Sequence, residues 1–246
     1  MASVAFQKIE KSFGRVKIIH GISFDISDGE FVVLVGPSGC GKSTLLRMVA
    51  GLEDISAGEI SIDGRVINEL DSKDRDIAMV FQSYALYPHM TVRDNMAFSL
   101  KLRRADAALT SQRVGDAARI LNLELLLDRF PRELSGGQRQ RVGVARALAA
   151  DPPVILLDEP FGALDPITRR DIQQEFKSLQ QELGKTMVFV THDIAEAFVL
   201  GSRIGLLKDG EMVLLGVPAE LLESSHPEAR AFAACFHDGQ AIGRPA

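Results

Sequence analysis

Cysteine and long apolar runs are both scarce in this sequence, and each scarcity excludes classes of protein. The 246 residues include two cysteines, Cys40 and Cys235, which are far apart and form no CxxC or Cys/His cluster. Neither a disulfide framework nor a zinc site is expected, and a reducing compartment fits this usage. No apolar run approaches the roughly 18 residues of a membrane-spanning helix, and the first residues lack the apolar stretch of a signal peptide. Any role at a membrane is therefore expected to be peripheral.

An excess of positive charge is also missing. The formal net charge is -5 at pH 7, which removes the usual electrostatic reason to expect a nucleic-acid partner. Hydrophobic residues make up 46% and charged residues 25% of the chain, and such values are typical of a folded globular protein rather than a disordered chain or a coiled coil. The length suits one large domain or two closely joined ones.

The pattern of apolar residues changes along the chain. Residues 1–90 indicate short strands, including a hairpin at 59–67 that turns at Asp63-Gly64. Residues 91–130 have helical spacing, and after Pro131 strands and helices alternate. Alternation of this kind predicts a mainly parallel sheet that is covered by helices on both faces. From the same patterns we expect strands at 32–35, 77–81, 154–157, 186–190 and 204–207, helices at 166–183 and 194–200, and a second hairpin at 208–215.

A phosphate-binding loop follows the apolar run at 32–35 and precedes a helical segment at 44–50. Its residues match the pattern GxxxxGK[ST] and are Gly36, Pro37, Ser38, Gly39, Cys40, Gly41, Lys42 and Ser43. Glycines let backbone N–H groups turn toward phosphate oxygens at a helix N-terminus, Lys42 reaches the β- and γ-phosphates, and the Ser43 hydroxyl can ligate Mg²⁺. The alternative is a glycine-rich turn with a surface lysine. The Cys40 thiol is either activated by the potential of the helix end or packed and inert.

Two acids end the apolar run at 154–157. Ligand-facing groups of parallel sheets lie at the carboxyl ends of strands, so Asp158 and Glu159 should reach the edge that carries the phosphate loop. Asp158 is expected to hold Mg²⁺ through its water shell. Glu159 is expected to orient or deprotonate the water that attacks in a phosphoryl transfer. The alternative is that both acids only cap the following helix.

A third motif, LSGGQ at 134–138, stands before a helical stretch at 139–149. Ser135 is a good N-cap, and the two glycines let a ligand approach a helix N-terminus, although the motif alone could be only a helix start. With the phosphate loop and the acidic pair in this order, the sequence resembles the ATPase subunits of ABC transporters over nearly its whole length. The resemblance implies ATP and Mg²⁺ as ligands. It also implies a head-to-tail homodimer in the ATP-bound state, in which LSGGQ of one subunit covers the ATP held by the other.

The resemblance further implies roles for single residues. Gln82 would sense Mg²⁺ and the attacking water, and His192 would contact the γ-phosphate, although a lone histidine is more often structural. Asp165 would lie in a loop that crosses the dimer interface, a role compatible with capping the helix that begins at Pro166. Phe13 would stack on adenine, where the family more often has tyrosine, and a core phenylalanine is the alternative. Beside the phosphate loop, the residues implied in nucleotide binding are Phe13, Thr44, Ser135, Gly137 and Gln138.

The expected fold is α/β: a P-loop NTPase core of RecA-like type with a mainly parallel sheet, an N-terminal antiparallel β-subdomain and a helical insertion. We expect a single ABC ATPase domain over residues 1–246. Within it, 1–90 and 151–246 would form the catalytic core with the β-subdomain, and 91–150 the helical subdomain with the signature motif. The residues after Leu215 are expected to be too few for the OB-type or paired CBS modules that related subunits carry.

Two segments resemble different branches of importers. Residues 80–92 look like sugar and glycerol-phosphate importers, whereas residues 158–169 look like importers of glycine betaine and related quaternary amines. The resemblance implies a peripheral subunit at the cytoplasmic face of the membrane. There it would power import together with integral membrane subunits and, indirectly, a solute-binding protein. Residues 84–89 are the expected docking surface for a membrane partner, with a packed loop as the alternative.

Two other functions stay open at this point. A soluble ABC-type ATPase that acts on DNA or on the ribosome would share the motifs, but such relatives carry a long coiled coil or two ATPase units. A different P-loop enzyme, such as a small-molecule kinase, would leave LSGGQ, Gln82 and His192 as coincidences. Salt-dependent binding of nucleic acid would favour the first alternative. A phosphorylated metabolite would favour the second.

Overall fold

The computed structural model describes residues 2–81, 85–162 and 164–242, with residues 235–242 described by their backbone alone. The strands are β1 (Val4–Phe13), β2 (Val16–Ile26), β3 (Phe31–Val35), β4 (Ala57–Ile62), β5 (Arg65–Val66), β6 (Ile77–Val80), β7 (Val154–Asp158), β8 (Thr186–Thr191), β9 (Arg203–Lys208) and β10 (Glu211–Gly216). The helices are α1 (Lys42–Ala50), α2 (Val92–Leu102), α3 (Ala107–Ile120), α4 (Gly136–Ala149), α5 (Pro166–Leu183), α6 (Ile194–Leu200), α7 (Pro218–Glu223) and α8 (Pro227–Ile242). Short 3-10 turns lie at Ser72–Asp74, Glu124–Leu126 and Pro131–Glu133.

The larger sheet has six strands in the order β10-β9-β3-β8-β7-β6. Neighbouring strands from β9 to β6 pair in parallel, and only β10 pairs antiparallel, through its hairpin with β9. Because parallel strands all run the same way, the carboxyl ends of β3, β6, β7 and β8 share one edge of the sheet. The phosphate loop, the acidic pair and the loop with His192 leave from that edge.

The two faces of this sheet pack into two separate cores, which explains why its strands are apolar throughout. Along β3, the side chains of Phe31, Val33 and Val35 enter one core, and Val32 and Leu34 enter the other. The same alternation occurs in β7 and β8. The first core is shared with α2–α6, and the second with α1 and the antiparallel sheet. Successive side chains of a strand point to opposite faces, so a strand covered on both sides has no polar face.

The smaller sheet is antiparallel, with strand order β2-β1-β4-β5. It meets the larger sheet where the β9–β10 turn touches β2. There the backbone N–H of His20 donates to the carbonyl of Gly210 at 2.9 Å. A Cβ at Gly210 would lie 2.1 Å from the carbonyl oxygen of Ile18, so this contact requires glycine. The junction places β2 beside the phosphate loop, because Ile18 and Ile19 also border Gly41.

Helices α2, α3 and α4 pack on one another between β6 and β7 in the sequence. Their buried residues include Val92, Met96, Val114, Ala118 and Val142, which recur at helical spacing. Because these side chains belong to the same core as Phe31 of the sheet, the helical group is attached to the sheet by a continuous apolar interior.

The structure confirms the α/β class, the mainly parallel sheet and both hairpins. One expectation was wrong in detail: β1 and β2 are long rather than short, because register shifts let the pair continue through irregular positions. Helix α5 buries Ile172, Phe176 and Leu179, which follow one another at the spacing of one helical face, and Leu183 on the same face is half-buried. Within the described ranges, no helix is both long enough and apolar enough to cross a membrane.

Candidate active site

The phosphate loop connects β3 to α1, as its sequence context predicted. Gly41 is the N-cap of α1 with φ +101°, and Gly36 packs so closely on β9 that a Cβ there would lie 2.1 Å from the carbonyl oxygen of Leu207. Both positions therefore need glycine. Pro37, Ser38 and Gly39 are exposed. α1 has no acidic residue in its own first turn, so the N–H groups and the positive end of this helix suit an anion.

The Lys42 side chain is buried and lies inside the loop. Its Nζ atom donates to the carbonyl oxygens of Gly36 and Pro37 at 2.7 and 2.8 Å, and it lies 3.7 Å from the Cys40 sulfur. Among the described residues, this buried ammonium contacts neutral carbonyls and a thiol and no carboxylate, which suits a phosphate better than a structural role. The Cys40 side chain is 6% exposed. Of the two alternatives for Cys40, the structure therefore favours a packed thiol.

Ser43 and Asp158 come together from opposite parts of the chain. The Ser43 hydroxyl donates to Asp158 Oδ1 at 2.7 Å, and Asp158 is 7% exposed at the end of β7. A hydroxyl and one carboxylate, completed by phosphate oxygens and water, form the kind of ligand set that Mg²⁺ uses in nucleotide sites. In the parts of the chain that the structure describes, no three His, Cys, Asp or Glu residues gather into a metal-binding group of their own. The donor set therefore fits Mg²⁺ delivered with a nucleotide.

Glu159 faces His192 across the same edge. Glu159 Oε2 lies 3.1 Å from His192 Nδ1. The Glu159 backbone has φ +45°, and its N–H donates to the carbonyl of Val190 at the end of β8. A left-handed conformation is costly for a residue with a Cβ and occurs often at functional positions. It turns the Glu159 side chain away from the path of β7 and toward the histidine, so Glu159 is not a simple cap.

The LSGGQ motif begins α4 with a capping box. The Ser135 hydroxyl accepts from the Gln138 N–H at 3.2 Å, and Gln138 Oε1 accepts from the Ser135 N–H at 2.9 Å. Ser135 is exposed, and the first turn of α4 holds no acid. A Cβ at Gly137 would lie 2.9 Å from Thr168 Cγ2 on α5. At Gly137, then, glycine permits close packing of two helices of this chain, a purpose that the sequence did not reveal.

Phe13 lies at the end of β1 and is 47% exposed. The alternative of a core phenylalanine is therefore wrong. Lys11 Nζ lies 4.6 Å from the centre of the ring, and such a cation on one face leaves the ring available for stacking on the other. Phe13 pairs with Val16 at the start of β2, the strand that borders the phosphate loop at Ile18.

Asp165 is the N-cap of α5, as expected. Its carboxylate accepts from the Thr168 N–H at 3.1 Å. Hydrogen bonds from the hydroxyl and the backbone N–H of Thr168 lower the pKa of the Asp165 carboxyl. The loop before α5 therefore holds a charged, exposed acid beside Gly137.

A family profile described as "ABC transporter" matches residues 19–162 of this sequence. The chain belongs to the ABC transporter family. The match spans the phosphate loop, LSGGQ and the acidic pair, all of which the structure shows in place. This chain is thus an ABC-type ATP-binding domain, and its site suits ATP and Mg²⁺, as the resemblance implied.

Individual relatives are similar over most or all of the chain. "Sulfoquinovosyl glycerol transport ATP-binding protein SmoE" of Agrobacterium fabrum is 54% identical over 221 residues, which cover 90% of this chain and 62% of that protein. "sn-glycerol-3-phosphate import ATP-binding protein UgpC" of Cereibacter sphaeroides is 50% identical over 246 residues, covering 100% of this chain and 68% of that protein. The chain thus spans about two thirds of the length of these relatives.

Solved ABC cassettes have the same fold. The dimeric structure of MJ0796, described as a bacterial ABC transporter cassette, matches with a TM-score of 0.77 and 37% identity over 87% of this chain and 98% of that one. A dimeric structure of the same cassette, in a post-hydrolysis state bound to ADP and Pi, matches with a TM-score of 0.76. These matches confirm the ABC ATPase fold.

Gln82, which the family resemblance places at the Mg²⁺ and water site, lies outside the described residues, as does Tyr84 of the expected docking surface. Their roles stay predictions. The described strand that leads to Gln82 is β6, which pairs in parallel with β7 beside Asp158.

Two charged residues that the sequence did not single out, Glu196 and Arg169, lie next to the residues on either side of His192. Glu196 on α6 is 4% exposed and accepts from the Thr191 hydroxyl at 2.6 Å. Arg169 on α5 lies 3.9 Å from Glu196 Oε1 through its Nε atom. The signal that could have drawn attention to Glu196 is its place on the buried side of α6, next to Ala197 and one turn before Leu200.

Proposed function

We propose that this chain is the ATP-hydrolysing subunit of an importer that moves a sugar-like or glycerol-phosphate-like solute across a membrane. The observation that carries the proposal is the meeting of Ser43, Asp158, Glu159 and His192 at one edge of the parallel sheet. A phosphoryl transfer needs a cradle for phosphates, a metal site and an oriented water. These residues, with the phosphate loop, provide each of them.

The residues divide the chemistry as follows. Lys42 and the loop N–H groups would bind the β- and γ-phosphates, and Ser43 and Asp158 would hold Mg²⁺, which would supply charge neutralisation. Glu159 orients the attacking water and accepts its proton, and His192 contacts the γ-phosphate and holds the Glu159 carboxylate in place. The 3.1 Å contact supports this pairing, because the two side chains orient one another.

The active form in this proposal is a head-to-tail homodimer. Each chain has two helix ends suited to anions, at Gly41 and at Ser135, and both are free of acidic residues in the first turn. One ATP bound between the phosphate loop of one protomer and Ser135, Gly137 and Gln138 of the other would use both ends. The similarity to the dimeric MJ0796 cassette supports this arrangement.

We assign residues 1–90 and 151–246 to a catalytic core with its β-subdomain, and 91–150 to a helical subdomain. A groove of about 300 Å³ lies between the two parts and is lined by Met79, Phe81, Ala85, Tyr87, Phe98, Arg103 and Arg146. One wall of the groove is formed by β6 and Phe81, the residue that precedes Gln82. We infer that an integral membrane subunit inserts a cytoplasmic helix here, with apolar contacts to the walls and its carboxylates or helix C-terminus toward Arg103.

The cargo is proposed from the relatives. Both are named for glycerol-containing solutes, sulfoquinovosyl glycerol and sn-glycerol-3-phosphate, and their similarity extends through residues 158–169, the segment that resembled quaternary-amine importers. A polyol or phosphorylated polyol is therefore the first candidate, and an osmoprotectant is the second. The subunit would act at the cytoplasmic face, with a solute-binding protein delivering cargo on the other side.

The proposal is tested by reconstituting the chain with its membrane partner in vesicles and measuring ATP hydrolysis with a panel of solutes and binding proteins. Stimulation by a glycerol phosphate or a sugar glycoside, coupled to uptake, is the expected result. Stimulation by glycine betaine alone would show that the cargo is an osmoprotectant rather than a polyol. Stimulation by nucleic acid, lost as salt rises, would replace the transport function.

A further inference from the structure

The guanidinium of Arg169 joins the loop that contains Glu159 and Asp165 to the loop that contains His192. Arg169 Nη2 donates to the carbonyl of Leu164, the residue before Asp165, at 3.0 Å. Arg169 Nη1 lies 3.5 Å from Asp193 Oδ2, and Asp193 directly follows His192. The Arg169 backbone N–H also donates to the carbonyl of Asp165 at 2.9 Å. Arg169 thus contacts the residues next to both Asp165 and His192 without standing in either loop.

A buried carboxylate completes this connection from the other side. Glu196 Oε2 accepts from the Thr191 hydroxyl at 2.6 Å, and Glu196 Oε1 accepts from Gln173 Nε2 at 3.1 Å. The Thr191 hydroxyl in turn accepts from the Asp193 N–H at 3.0 Å. The residues on each side of His192 are therefore fixed to Glu196, directly or through one hydroxyl.

The charges around Glu196 explain why Arg169 is needed there. Burial raises the pKa of Glu196 and Asp193 adds to this, whereas hydrogen bonds from Thr191 and Gln173 and the charge of Arg169 act against it. Glu196 and Asp193 are two acids on one short segment, and Arg169 is the cation that lies between them. Without Arg169, two carboxylates would face each other beside His192 with less compensation.

We propose that Arg169 and Glu196 are positioning residues for ATP hydrolysis, which hold the His192 loop in register with the Asp165 loop. The inference rests on the proposed dimer, because a second protomer that presses on the exposed Asp165 loop would then set the position of His192 and Glu159. Neither residue needs to touch the nucleotide. Their effect should appear in the hydrolytic step rather than in ATP binding.

The test compares Arg169→Met with Lys177→Met on the same helix. Lys177 also connects α5 to α6, since its Nζ donates to the carbonyl of Val199 at 2.6 Å. This contact is far from the Asp165 and His192 loops. We expect Arg169→Met to lower kcat about 10- to 100-fold with KM within about threefold of the wild type, because a small misplacement of catalytic groups is costly. Lys177→Met should keep kcat and KM within about twofold of the wild type, since exposed charged side chains contribute little to stability.

Further variants separate positioning from a general loss of structure. Glu196→Gln should lower kcat in the same way, and the double variant should be no slower than Arg169→Met alone, because both act through one network. Arg169→Lys should recover part of the activity. In a Glu159→Gln background, Arg169→Met should still form ATP-dependent dimers. If Arg169→Met does not fold, Glu196→Gln decides the question by the same criteria.

The outcomes distinguish the inference from the proposed function. If the wild-type chain hydrolyses ATP and Arg169→Met retains a normal kcat, the inference alone is overturned. An equal loss of kcat in Lys177→Met, or effects of Arg169→Met and Glu196→Gln that simply multiply, would also overturn it. If the wild-type chain neither hydrolyses ATP nor dimerises with it, the proposed function fails and the inference fails with it.

Discussion

Glu159 Oε2 lies 3.1 Å from His192 Nδ1, although the two residues follow different strands of the parallel sheet, β7 and β8. The contact depends on the left-handed backbone of Glu159, whose N–H is held by the carbonyl of Val190 at the end of β8. Glu159 is thus held at the end of β8, the strand that His192 follows. This pair leads to the first prediction.

Glu159→Gln should bind ATP and accumulate as a dimer with little turnover. Glutamine keeps the size and much of the hydrogen bonding of Glu159 but cannot accept a proton, so phosphate release should fall by at least about 100-fold. Phosphate release and size-exclusion chromatography with Mg-ATP measure the two effects. Glu182→Gln, an exposed change on α5, is the control. Normal phosphate release by Glu159→Gln would remove Glu159 from its role.

Asp158→Asn should weaken the use of Mg²⁺ more than the fold. Asparagine can still accept a hydrogen bond from the Ser43 hydroxyl through Oδ1, as Asp158 does at 2.7 Å. It has no negative charge to attract the metal. The Mg²⁺ concentration for half-maximal ATPase activity should rise about 10- to 100-fold, the usual effect of losing a supporting group. Thermal unfolding without Mg²⁺ should be nearly unchanged. An unchanged Mg²⁺ requirement would show that Asp158 is only a structural acceptor.

Gly137→Ala should be harmful because of its neighbour within the chain. The new Cβ would lie 2.9 Å from Thr168 Cγ2, so α4 and α5 must separate slightly, at a cost of about 1–3 kcal/mol. Thr168→Ser removes this methyl group and keeps the hydroxyl that bonds Asp165. The double variant Gly137→Ala/Thr168→Ser should therefore regain stability in urea unfolding. If stability returns but ATPase activity does not, Gly137 also approaches the nucleotide.

Asp151 gives a prediction about pH. It pairs with Arg113 of α3 at 2.7 Å and with Lys185 before β8 at 2.8 Å. Burial alone would raise the pKa of Asp151, but the hydrogen bonds and charges of Lys185 and Arg113 outweigh it and lower the pKa. A lowered pKa stabilises the folded state above the unfolded-state pKa, and this contribution is lost as pH falls through the folded value.

Asp151→Asn should accordingly cost about 0.5–1 kcal/mol near pH 7. The cost should shrink as pH falls from about 4, where the carboxyl of the unfolded chain becomes protonated, through the lower pKa of the folded state. Asparagine tolerates the φ of +49° at this position, so the change tests charge rather than backbone strain. Urea unfolding of both proteins across this pH range gives the difference. Asp128→Asn, in a pair whose Asp side chain is 88% exposed, should have a smaller effect. A cost for Asp151→Asn that did not shrink in acid would argue against the ion pairs.

Asn95 organises the proposed docking groove from beneath. It is fully buried, accepts from the Tyr87 N–H at 2.8 Å and donates to the carbonyls of Tyr87, Met90 and Thr91. Asn95→Ala should cost about 2–3 kcal/mol, because it removes four hydrogen bonds and leaves partly buried backbone groups unpaired. It should also reduce partner-stimulated hydrolysis more than basal hydrolysis in reconstituted vesicles. Gln112→Ala, an exposed change on α3, should affect neither, and equal losses of basal and stimulated activity would separate this loop from docking.

Much of the site could be predicted from local sequence because its determinants are local. Gly36 to Gly41 form the loop between β3 and α1, since glycine spacing and the apolar run before it leave few other conformations. The Ser135 and Asp165 caps followed from residue type alone. Phe13 could not be placed, because an aromatic at a strand end fits both a core and an exposed edge, and only the packed sheet shows that it is exposed.

The sequence by itself thus determined the phosphate loop, the acidic pair, the capped helices and the α/β class, all of which depend on periodicity, steric limits and hydrogen bonds between near neighbours. Tertiary structure alone decided that Gly137 meets Thr168, that Glu159 meets His192, and that Arg169 and Glu196 join behind them. The Glu159–His192 contact depends on strand order, in which β8 lies between β7 and β3, and β3 is distant from both in the chain. Residue type cannot specify such order, because many pairings bury the same apolar strands equally well.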